Sequence, residues 1–419
     1  MRLKKRVVVS SALLVALVGS GFTGMGNLLQ GKSEGLKVAY AAPANFTDIG
    51  GHWAAADIMK AVEGGIAAGY EDGSFRPDQE VKRSEFIKLL TTALKLPNGA
   101  DGANWYDKFV AAATKEGFYK NDFTASSMEE AIPRKEMVKL AGRAAALKYE
   151  FGEIEEKQWL WEAAKAGIVH GKGNGDVAPD GTTTRAEAIA IVNRVTDVKA
   201  GKKLPVDKYA ISGAEIYWHK TNVMSMLPRY FTKPYKYDDG SYDKFRDDLM
   251  HEEKADGNYI AETERFVVID LDDKNDPNRH LIPEGSKRFI FSTRQAVDVS
   301  NGGYAVIAVN KLKVKKNVAN FDLILSAYTF IGGDIRNVND LSKKAQKLDG
   351  LIVNDANKSS NGALIAKENT TVTYITGQFI PKGDWIADPT MEVTFSPIGK
   401  FNTPMSNLLS SWTRKEISN

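Results

Sequence analysis

The chain has 419 residues, 43% of them hydrophobic and 26% charged, so it is long enough for two or more domains with packed cores. It contains no cysteine, which excludes disulfides, thiolate zinc sites and cysteine nucleophiles. The formal net charge of +3 falls to −2 without the first 41 residues, which hold six Lys and Arg but one acidic residue, so bulk charge gives no support for nucleic-acid binding.

The first 41 residues are typical of a secretory signal peptide. Four basic residues precede an apolar run over residues 7–18, and Ala39-Tyr40-Ala41 offers a small-residue cleavage site. The apolar run is short of the ~20 residues of a comfortable membrane span, although an uncleaved anchor stays open as the alternative. No other stretch is long and apolar enough to cross a bilayer. We therefore expect an exported protein without a transmembrane span in its mature form.

A four-residue cassette recurs three times, each time before an amphipathic run. Its copies are Lys82-Arg83-Ser84-Glu85, Pro133-Arg134-Lys135-Glu136 and Thr184-Arg185-Ala186-Glu187, and their arginines are 51 residues apart. Such a period marks an internal repeat of one supersecondary unit. The sequence therefore predicts three repeats, over residues 42–98, 99–150 and 151–200.

Each repeat is predicted to form a helix, a loop and a second helix. Apolar residues after each cassette have the i, i+3, i+4, i+7 spacing of one buried helix face. They are Phe86, Leu89, Leu90 and Ala93 in the first repeat, Met137, Leu140, Ala141 and Ala144 in the second, and Ala188, Ile191, Val192 and Val195 in the third. A shorter upstream helix shows similar spacing, beginning at Ile58, Val110 and Leu160.

The arginine of each cassette lies at a predicted helix start. Thr184 and Glu187 form a capping box, which makes Thr184 the N-cap and Arg185 the first helical residue. A helix start offers unpaired backbone N–H groups and a positive dipole end, and a guanidinium suits a carboxylate or phosphate. In a single copy, a surface ion pair worth ~0.5 kcal/mol would explain the pattern. Three copies of an unfavourably placed positive charge favour an anion-binding role.

The first repeat resembles a surface-layer homology (SLH) domain. The resemblance rests on Phe46-Thr47-Asp48, His52-Trp53-Ala54, Gly65-Ile66, the loop Gly69-Tyr70-Glu71-Asp72-Gly73-Ser74-Phe75-Arg76-Pro77-Asp78 and the Arg83/Glu85 cassette. Together with the second and third repeats, the resemblance covers residues 44 to 197, a little over a third of the chain.

This resemblance implies an all-α, pseudo-threefold bundle of three repeats that holds the secondary polysaccharide of a Gram-positive cell wall. The polysaccharide of such walls often bears a pyruvate ketal, whose carboxylate the cassette arginines would receive. The residues expected to contact the glycan are Arg83, Arg134, Arg185, Glu85, Glu187, Trp53, Gly69, Tyr70, Asp72 and Gly73. For Trp53, a sugar platform and a place in the core are equally plausible, whereas Trp105 is expected in the core.

The later repeats depart from this pattern. The second has Tyr119-Lys120-Asn121-Asp122-Phe123 in place of the Gly-Tyr-x-Asp-Gly loop, and Pro133 at the N-cap. The third has Glu155 in the place of Trp53 and Lys172 in the place of Tyr70, with Trp159 or Trp161 as possible substitutes for the tryptophan. We therefore expect three unequal grooves.

Residues 201–419 are predicted to form a mainly β, sandwich-like domain. Candidate strands are 265–270, 288–293, 304–315, 321–330, 372–380 and 391–396. Two short helices are expected within it, one from Ser241 through Phe245 and Leu249 to about Gly257, the other from Asp340 to Gly350.

Two side-chain clusters in this domain have competing interpretations. Asp270, Asp272, Asp273 and Asp276 form a carboxylate-rich run that offers oxygen ligands for calcium, although a solvated acidic turn is the preferred interpretation. Seven aromatic residues lie between Tyr217 and Tyr242. We expect them to pack in the core, with an interaction surface as the second choice and sugar stacking as the third.

We predict no catalytic site and no required cofactor. Gly31-Lys32-Ser33-Glu34-Gly35 matches a serine-hydrolase motif but lies in the leader, and the five histidines do not cluster. A pair of acids for glycoside hydrolysis stays open in residues 201–419. The sequence thus favours a wall-anchored surface-layer or surface-associated protein that self-associates at the cell surface, with an anchored polysaccharide-active enzyme or an adhesin as alternatives.

Overall fold

The computed structural model describes residues 46–231, 234, 236, 238–253, 257–290, 292–300, 302–315, 326–331, 348–352, 367–383, 391–396 and 406–410. The signal peptide expected over residues 1–41 lies outside these ranges. Helices predominate in the described residues up to 226, and strands predominate after residue 251.

Six helices form the repeat region, two in each repeat. They are α1 (Ala55–Glu63), α2 (Arg83–Ala93), α3 (Asp107–Glu116), α4 (Arg134–Ala144), α5 (Gln158–Lys165) and α6 (Arg185–Lys199). Most of the apolar residues predicted to face the core, among them Phe86, Met137 and Ala188, are buried. The predicted unit of helix, loop and helix is therefore confirmed in all three copies.

The predicted capping box begins α6. The Thr184 hydroxyl accepts a hydrogen bond from Glu187 N at 3.3 Å, and Glu187 Oε2 accepts one from Thr184 N at 3.0 Å. This reciprocal pair satisfies two N–H groups that a helix start would otherwise leave unpaired. Arg185 is the first helical residue, as predicted.

Three extended residues join the repeats in a closed ring. Val81 N donates to Thr183 O at 2.9 Å, Thr183 N donates to Ile132 O at 3.2 Å, and Ile132 N donates to Val81 O at 2.9 Å. These residues are 51 positions apart, so equivalent positions of the three repeats pair with one another. Each repeat therefore contacts both of the others, which a linear stack would not allow.

Two further helices follow the third repeat, α7 (Lys208–His219) and α8 (Val223–Met226). The Asp207 carboxylate caps α7, because its Oδ1 accepts hydrogen bonds from Tyr209 N and Ala210 N, both at 3.0 Å. The sequence analysis assigned these residues to the β-rich domain and did not predict α7. The helical layer thus extends beyond residue 200.

Helix α7 packs against α5 of the third repeat. The rings of Trp161 and Trp218 lie 5.2 Å apart between centroids, and Trp218 Nε1 donates to Glu155 Oε2 at 3.1 Å. Trp161 Nε1 donates to Ser225 Oγ at 2.9 Å. Of the seven aromatic residues expected in the core, Trp218, Tyr230 and Phe231 are buried, which confirms the expectation for these three. Tyr217 and Tyr242 are half-buried, and the other two lie outside the described residues.

The second half of the chain is mainly β. Its described strands are β1 (His251–Glu253), β2 (Tyr259–Asp270), β3 (Lys287–Ile290), β4 (Gln295–Asp298), β5 (Gly303–Val314), β6 (Ser326–Ile331), β7 (Asp349–Ile352), β8 (Thr370–Pro381), β9 (Met391–Ser396) and β10 (Ser406–Ser410). Seven of them form an antiparallel sheet in the order β1-β2-β5-β8-β7-β3-β4, and three form a second sheet in the order β10-β9-β6. The mainly β domain predicted from the sequence is therefore confirmed.

The two sheets share one apolar core. Met391 and Val393 of β9 belong to the same buried cluster as Tyr374 and Ile380 of β8, and this cluster continues into the repeats as far as Ile49. Within the ranges described above, no helix has the length and apolar character needed to cross a membrane.

Both helices expected within the β-rich domain need correction. Residues 241–250 contain a 3₁₀ turn at Asp247–Leu249, and β1 follows at His251, so the helix predicted from Ser241 is wrong. The apolar spacing of Phe245 and Leu249 arises because a loop directs both side chains inward. Most of the helix expected from Asp340 lies outside the described residues, and Gly350, its expected end, lies in β7.

Candidate functional site

The backbone N–H groups at the three repeat helix starts are already paired. Arg83 N donates to Glu130 O at 3.1 Å, Arg134 N to Gly181 O at 2.8 Å, and Arg185 N to Gln79 O at 2.7 Å. The next N–H of each helix donates to the same neighbouring repeat. The expectation of unpaired N–H groups for an anion is therefore wrong, because the connection between repeats uses these donors.

The cassette arginines also reach into the neighbouring repeat, but they do so in three different ways. Arg83 is buried against protein acids: its guanidinium forms two hydrogen bonds with the Glu136 carboxylate, at 2.7 and 3.2 Å, and lies 3.2 Å from Glu130 Oε2. It also donates to Ser127 O at 3.2 Å. The bond with Glu136 raises the Arg83 pKa. An open glycan-binding guanidinium was expected here, and the structure contradicts it, because Glu136 already occupies the fork.

Arg185 is held by backbone carbonyls. Its Nε donates to Phe75 O at 3.0 Å and its Nη2 to Ala68 O at 2.5 Å, while the guanidinium lies 4.5 Å from the centre of the Phe75 ring. Burial lowers the Arg185 pKa, and Glu85 opposes this only through longer-range attraction. Arg185 therefore has no carboxylate within ion-pair distance among the described residues.

Arg134 lies in an open groove. A cavity of about 430 Å³ is lined by Trp53 of the first repeat, Arg134 of the second, and residues of the third; we call it the Arg134 groove. The residues contributed by the third repeat are His170, Gly171, Lys172, Glu187, Ala190, Ile191 and Arg194. All three repeats therefore contribute to this site.

The Arg134 guanidinium is buried with an incomplete set of partners. Arg134 is 4% exposed. Its Nη2 donates to His170 O at 2.7 Å, and its Nη1 lies 3.5 Å from Glu187 Oε1. Its Nε is buried without a hydrogen-bond partner among the described residues. Burial lowers the Arg134 pKa, since the charged form loses water and the attraction of Glu187 compensates for only part of that loss. An added anion would relieve this cost.

The groove carries an excess of positive charge. Lys172 Nζ lies 3.1 Å from Glu187 Oε1, and Arg194 Nη1 donates to Ile168 O at 3.3 Å. Glu187 is thus the acidic residue among the lining residues, against Arg134, Lys172 and Arg194. A carboxylate or phosphate fits this arrangement electrostatically.

The sequence analysis named Arg134, Glu187 and Trp53 but missed His170, Gly171, Lys172 and Arg194 as lining residues. Lys172 was noted only as a departure from Tyr70. A basic residue at that loop position, 102 residues after Tyr70, was the available signal.

The first-repeat loop residues form a turn that the fold itself requires. Tyr70 N donates to Ser74 O at 2.8 Å, and Gly73 has a φ of +78°, in the left-handed region that favours glycine. Asp72 accepts from Ser74 N at 2.9 Å and pairs with Arg76 at 3.0 Å. These bonds, above all the one from the Ser74 hydroxyl, lower the Asp72 pKa to about 2. A side chain at Gly69 would collide with Phe46.

Glu85 and Glu187, the two glutamates expected to contact the glycan, both cap a helix, but only Glu187 faces the groove. Glu85 Oε2 accepts from Lys82 N at 3.0 Å, which caps α2. Glu187 caps α6 in the same way, and its other oxygen faces Arg134 and Lys172 in the groove. Tyr70 lies near Arg185, with 5.3 Å between the guanidinium and the ring centre.

The tryptophans of the first two repeats are exposed. Trp53 is 62% exposed and lines the Arg134 groove. Trp105 is 48% exposed, so the expectation that it belongs to the core is wrong. Its ring instead covers the surface of α2 and α3, in contact with Phe109 and below the Lys88 ammonium. Trp161 in the third repeat is buried.

The acidic run after β2 forms ion pairs and hydrogen bonds with side chains of the same chain. Asp270 pairs with Lys208 at 2.9 Å and with Lys382, and Tyr209 donates to Asp273. The loop therefore holds α7 against β8.

The other two carboxylates of this run are also engaged. Asp272 pairs with Lys382 at 2.7 Å, and Asp276 accepts from Asp270 N at 2.8 Å. Asp270 and Asp276 are buried, which a solvated turn would not show. Among the residues that the structure describes, no three His, Asp or Glu are arranged to hold a metal ion.

Known proteins match the repeat region. The family model of the S-layer homology domain matches residues 45–87 and 159–189, which lie in the first and third repeats. These segments of the chain therefore carry S-layer homology domains.

The relatives include surface-layer proteins, an exoglucanase and a cellulosome-anchoring protein. The chain is 31% identical over 183 residues to S-layer protein EA1 of Bacillus anthracis and 30% identical over 194 residues to exoglucanase XynX of Acetivibrio thermocellus. It is 26% identical over 138 residues to a cellulosome-anchoring protein of Acetivibrio thermocellus. The three alignments cover 39%, 41% and 28% of this chain and 21%, 18% and 31% of those proteins. The chain therefore spans less than a third of each relative, and the domain and the S-layer relatives together indicate a secreted protein of the cell surface.

Proposed function

We propose that this protein is a non-covalent cell-wall anchor whose Arg134 groove binds the acidic group of a secondary cell wall polysaccharide. The observation that carries the proposal is the Arg134 guanidinium, 4% exposed, with an unpaired Nε and only a loose ion pair with Glu187 at 3.5 Å, in a positively charged cavity beside the exposed Trp53. A pyruvate ketal would supply a carboxylate together with an apolar methyl group. The groove offers a cation for the first and apolar surface for the second.

The geometry of the groove supports an acidic sugar better than a neutral one. A ligand carboxylate in the groove would be attracted by Arg134, Lys172 and Arg194, which outnumber Glu187, and it would balance the excess positive charge. The exposed Trp53 ring offers a flat apolar surface on which a sugar ring can pack.

The pseudo-threefold bundle implied by the SLH resemblance is supported by the ring of Val81, Ile132 and Thr183. Three unequal grooves follow from the three arginines. The groove of Arg83 is filled by Glu136, the groove of Arg134 is open, and Arg185 is held by carbonyl groups. We assign the principal binding role to Arg134.

The β-rich half is the displayed part of a surface-layer or surface-associated protein in this proposal, with self-association as its expected activity. An exoglucanase, a surface-layer protein and a cellulosome-anchoring protein share segments with this chain that cover 18 to 31% of their length. Such a distribution suits a shared anchoring module, and it assigns no catalytic role to the chain. An anchored enzyme or adhesin remains the alternative for residues 201–419.

Sedimentation with purified wall sacculi tests the anchoring role. Arg134→Ala removes charge-assisted hydrogen bonds of about 1.5–3 kcal/mol, so binding should weaken about 10- to 100-fold. Lys311→Ala removes the same charge from an exposed pair with Glu264 on β5 and should leave binding unchanged. Wall polysaccharide from which the acid-labile pyruvate has been removed should no longer bind the wild-type protein. Equal sedimentation of Arg134→Ala and wild type would contradict the assignment.

A further inference from the structure

A second cavity lies outside the grooves between repeats. It has a volume of about 360 Å³ and separates the loop before α5 from the end of α7 and the loop over residues 240–245. We call it the Phe151 cavity; its walls include Tyr149, Phe151, Glu155, Trp218, His219 and Tyr242. It shares no lining residue with the Arg134 groove.

Aromatic rings form much of its wall. Phe151 lies between Tyr149 and Tyr242, with 5.4 Å between ring centres on each side. All three side chains are half-buried, so part of each ring stays accessible. The Trp218 ring is stacked on His219 at 3.9 Å and is held in place by its Nε1 bond to Glu155. A rigid aromatic wall of this kind suits the apolar face of a sugar ring.

Polar groups at the cavity have unused hydrogen-bonding capacity. His219 is 4% exposed, its Nδ1 is buried without a hydrogen-bond partner among the described residues, and the nearest carboxylate oxygen, on Asp247, is 3.7 Å away. Glu155 accepts one bond from Trp218 and lies 3.6 Å from Lys244, which leaves further lone pairs for a ligand. Because Glu155 lines the cavity and its side chain is half exposed, its carboxylate is the group that offers acceptors to a polar ligand.

The negative charge of the lining residues disfavours an acidic ligand. Glu153, Glu155 and Asp243 outnumber the single cation, Lys244, so an acidic sugar would be repelled. This is the reverse of the Arg134 groove. The volume lies near the lower end of the range of about 300–1,000 Å³ found for small-ligand sites.

We propose that the Phe151 cavity binds a pyranose unit that carries no acid group, either neutral or bearing an amine. Its apolar face packs on Phe151 and Tyr242, and its hydroxyl groups donate to the Glu155 carboxylate. The site gives the chain a saccharide contact that is independent of the acidic-sugar groove.

Titration of the full chain followed by NMR tests this site. The Trp218 indole N–H resonance, identified by its loss in Trp218→Phe, reports on the cavity through its bond to Glu155. The probes are the methyl glycosides of glucose, galactose, mannose and N-acetylglucosamine, together with glucosamine, glucuronate and choline. We expect at least one neutral or amino sugar to shift the resonance with a Kd of about 1 mM, and glucuronate to have no effect.

Matched variants separate the site from the anchoring groove. Phe151→Ala should raise the Kd about tenfold, and Trp53→Ala, which changes the other groove, should leave it unchanged. A shift caused by choline alone, an equal shift with glucuronate, no shift with any sugar, or an unchanged Kd in a folded Phe151→Ala would each overturn the proposal. None of these results depends on wall sedimentation.

Discussion

Arg83 and Glu136 lie 53 residues apart and join the first two repeats through two hydrogen bonds, at 2.7 and 3.2 Å. The equivalent pair of the next two repeats, Arg134 and Glu187, is separated by 3.5 Å. In the last pair, Arg185 has no carboxylate within ion-pair distance among the described residues. One sequence motif thus forms a closed ion pair, a loose ion pair and an unpaired cation at three successive interfaces, and the loose pair is the one beside the open groove.

Arg83→Ala should therefore affect stability more than wall binding. It leaves Glu136, a mostly buried carboxylate, without its main partner, and we expect a loss of about 2–3 kcal/mol in the free energy of unfolding. Urea denaturation measures this loss. Lys82→Ala removes a cation from an exposed pair with Glu129 and should have a far smaller effect. If Arg83→Ala kept its urea midpoint and released the protein from sacculi, the structural role would be excluded.

Gly69→Ala should destabilise the first repeat through steric overlap. An added Cβ would lie 2.1 Å from Phe46 Cε1 and 2.9 Å from Ser74 O, so the loop or the Phe46 ring must move, at a cost of about 1–3 kcal/mol. Gly50→Ala is the matched control, because no atom lies within 4 Å of the added group. Thermal unfolding of both variants distinguishes them. Equal melting temperatures would show that the loop accommodates the added methyl group without a measurable loss of stability.

The repeat helices could be predicted because two independent periods agree, the 3.6-residue spacing of apolar side chains and the 51-residue spacing of the cassettes. Helix α7 also has a sequence signal, since Asp207 precedes apolar residues at Ala210, Ala214 and Trp218, but the polar linker near residue 200 indicates that the helical region ends there. The predicted strands coincide with parts of β2, β3, β5, β6, β8 and β9, where apolar and β-branched residues dominate.

The partners of the arginines could not be predicted. Glu85, Glu136 and Glu187 occupy the same position in three similar cassettes, and the local sequence does not say which of them an arginine of another repeat will reach. That choice depends on small differences in how neighbouring repeats pack. The same holds for Lys172 and Arg194, which are brought to Arg134 only by the ring of repeats.

Glu215 should make stability depend on pH. It is fully buried, and its two oxygens accept bonds from Met224 N at 2.9 Å and Ser225 N at 2.6 Å. Burial raises its pKa from 4.5 to about 7. The folded state thus keeps a proton that the unfolded state releases above pH 4.5, so the wild type loses stability as the pH rises from 4.5 to 7 and loses no more above that.

Glu215→Gln removes this titration. The unfolding free energy of the variant relative to wild type should rise by about 3 kcal/mol between pH 4.5 and pH 8, measured by urea denaturation at each pH. Subtraction of the wild-type curve cancels the other carboxylates. A difference that does not change with pH would show that Glu215 ionises equally in both states.

Asp207 connects the β-rich half to the Arg134 groove. Its Oδ2 accepts a bond from Gly171 N at 3.0 Å, and Gly171 lines the groove next to Lys172, while Oδ1 caps α7. Burial opposes ionisation, but these backbone bonds outweigh it and lower the Asp207 pKa. The stability that this carboxylate contributes is therefore present above pH 3.8 and is lost as the pH falls below it.

Asp207→Asn separates the two roles. Asparagine is as good a helix cap as aspartate, so α7 should keep its stability within about 0.5 kcal/mol, but its amide nitrogen would face the Gly171 N–H in place of an acceptor. The loop that carries Lys172 should then move, so sedimentation with sacculi should weaken several-fold, and the lost bond from Gly171 N should lower the free energy of unfolding by about 1–2 kcal/mol, which leaves the protein folded in the assay. Asp298→Asn removes the same charge from the exposed β4 and should bind like wild type. Full wall binding by Asp207→Asn would mean that the groove does not depend on the chain beyond residue 200.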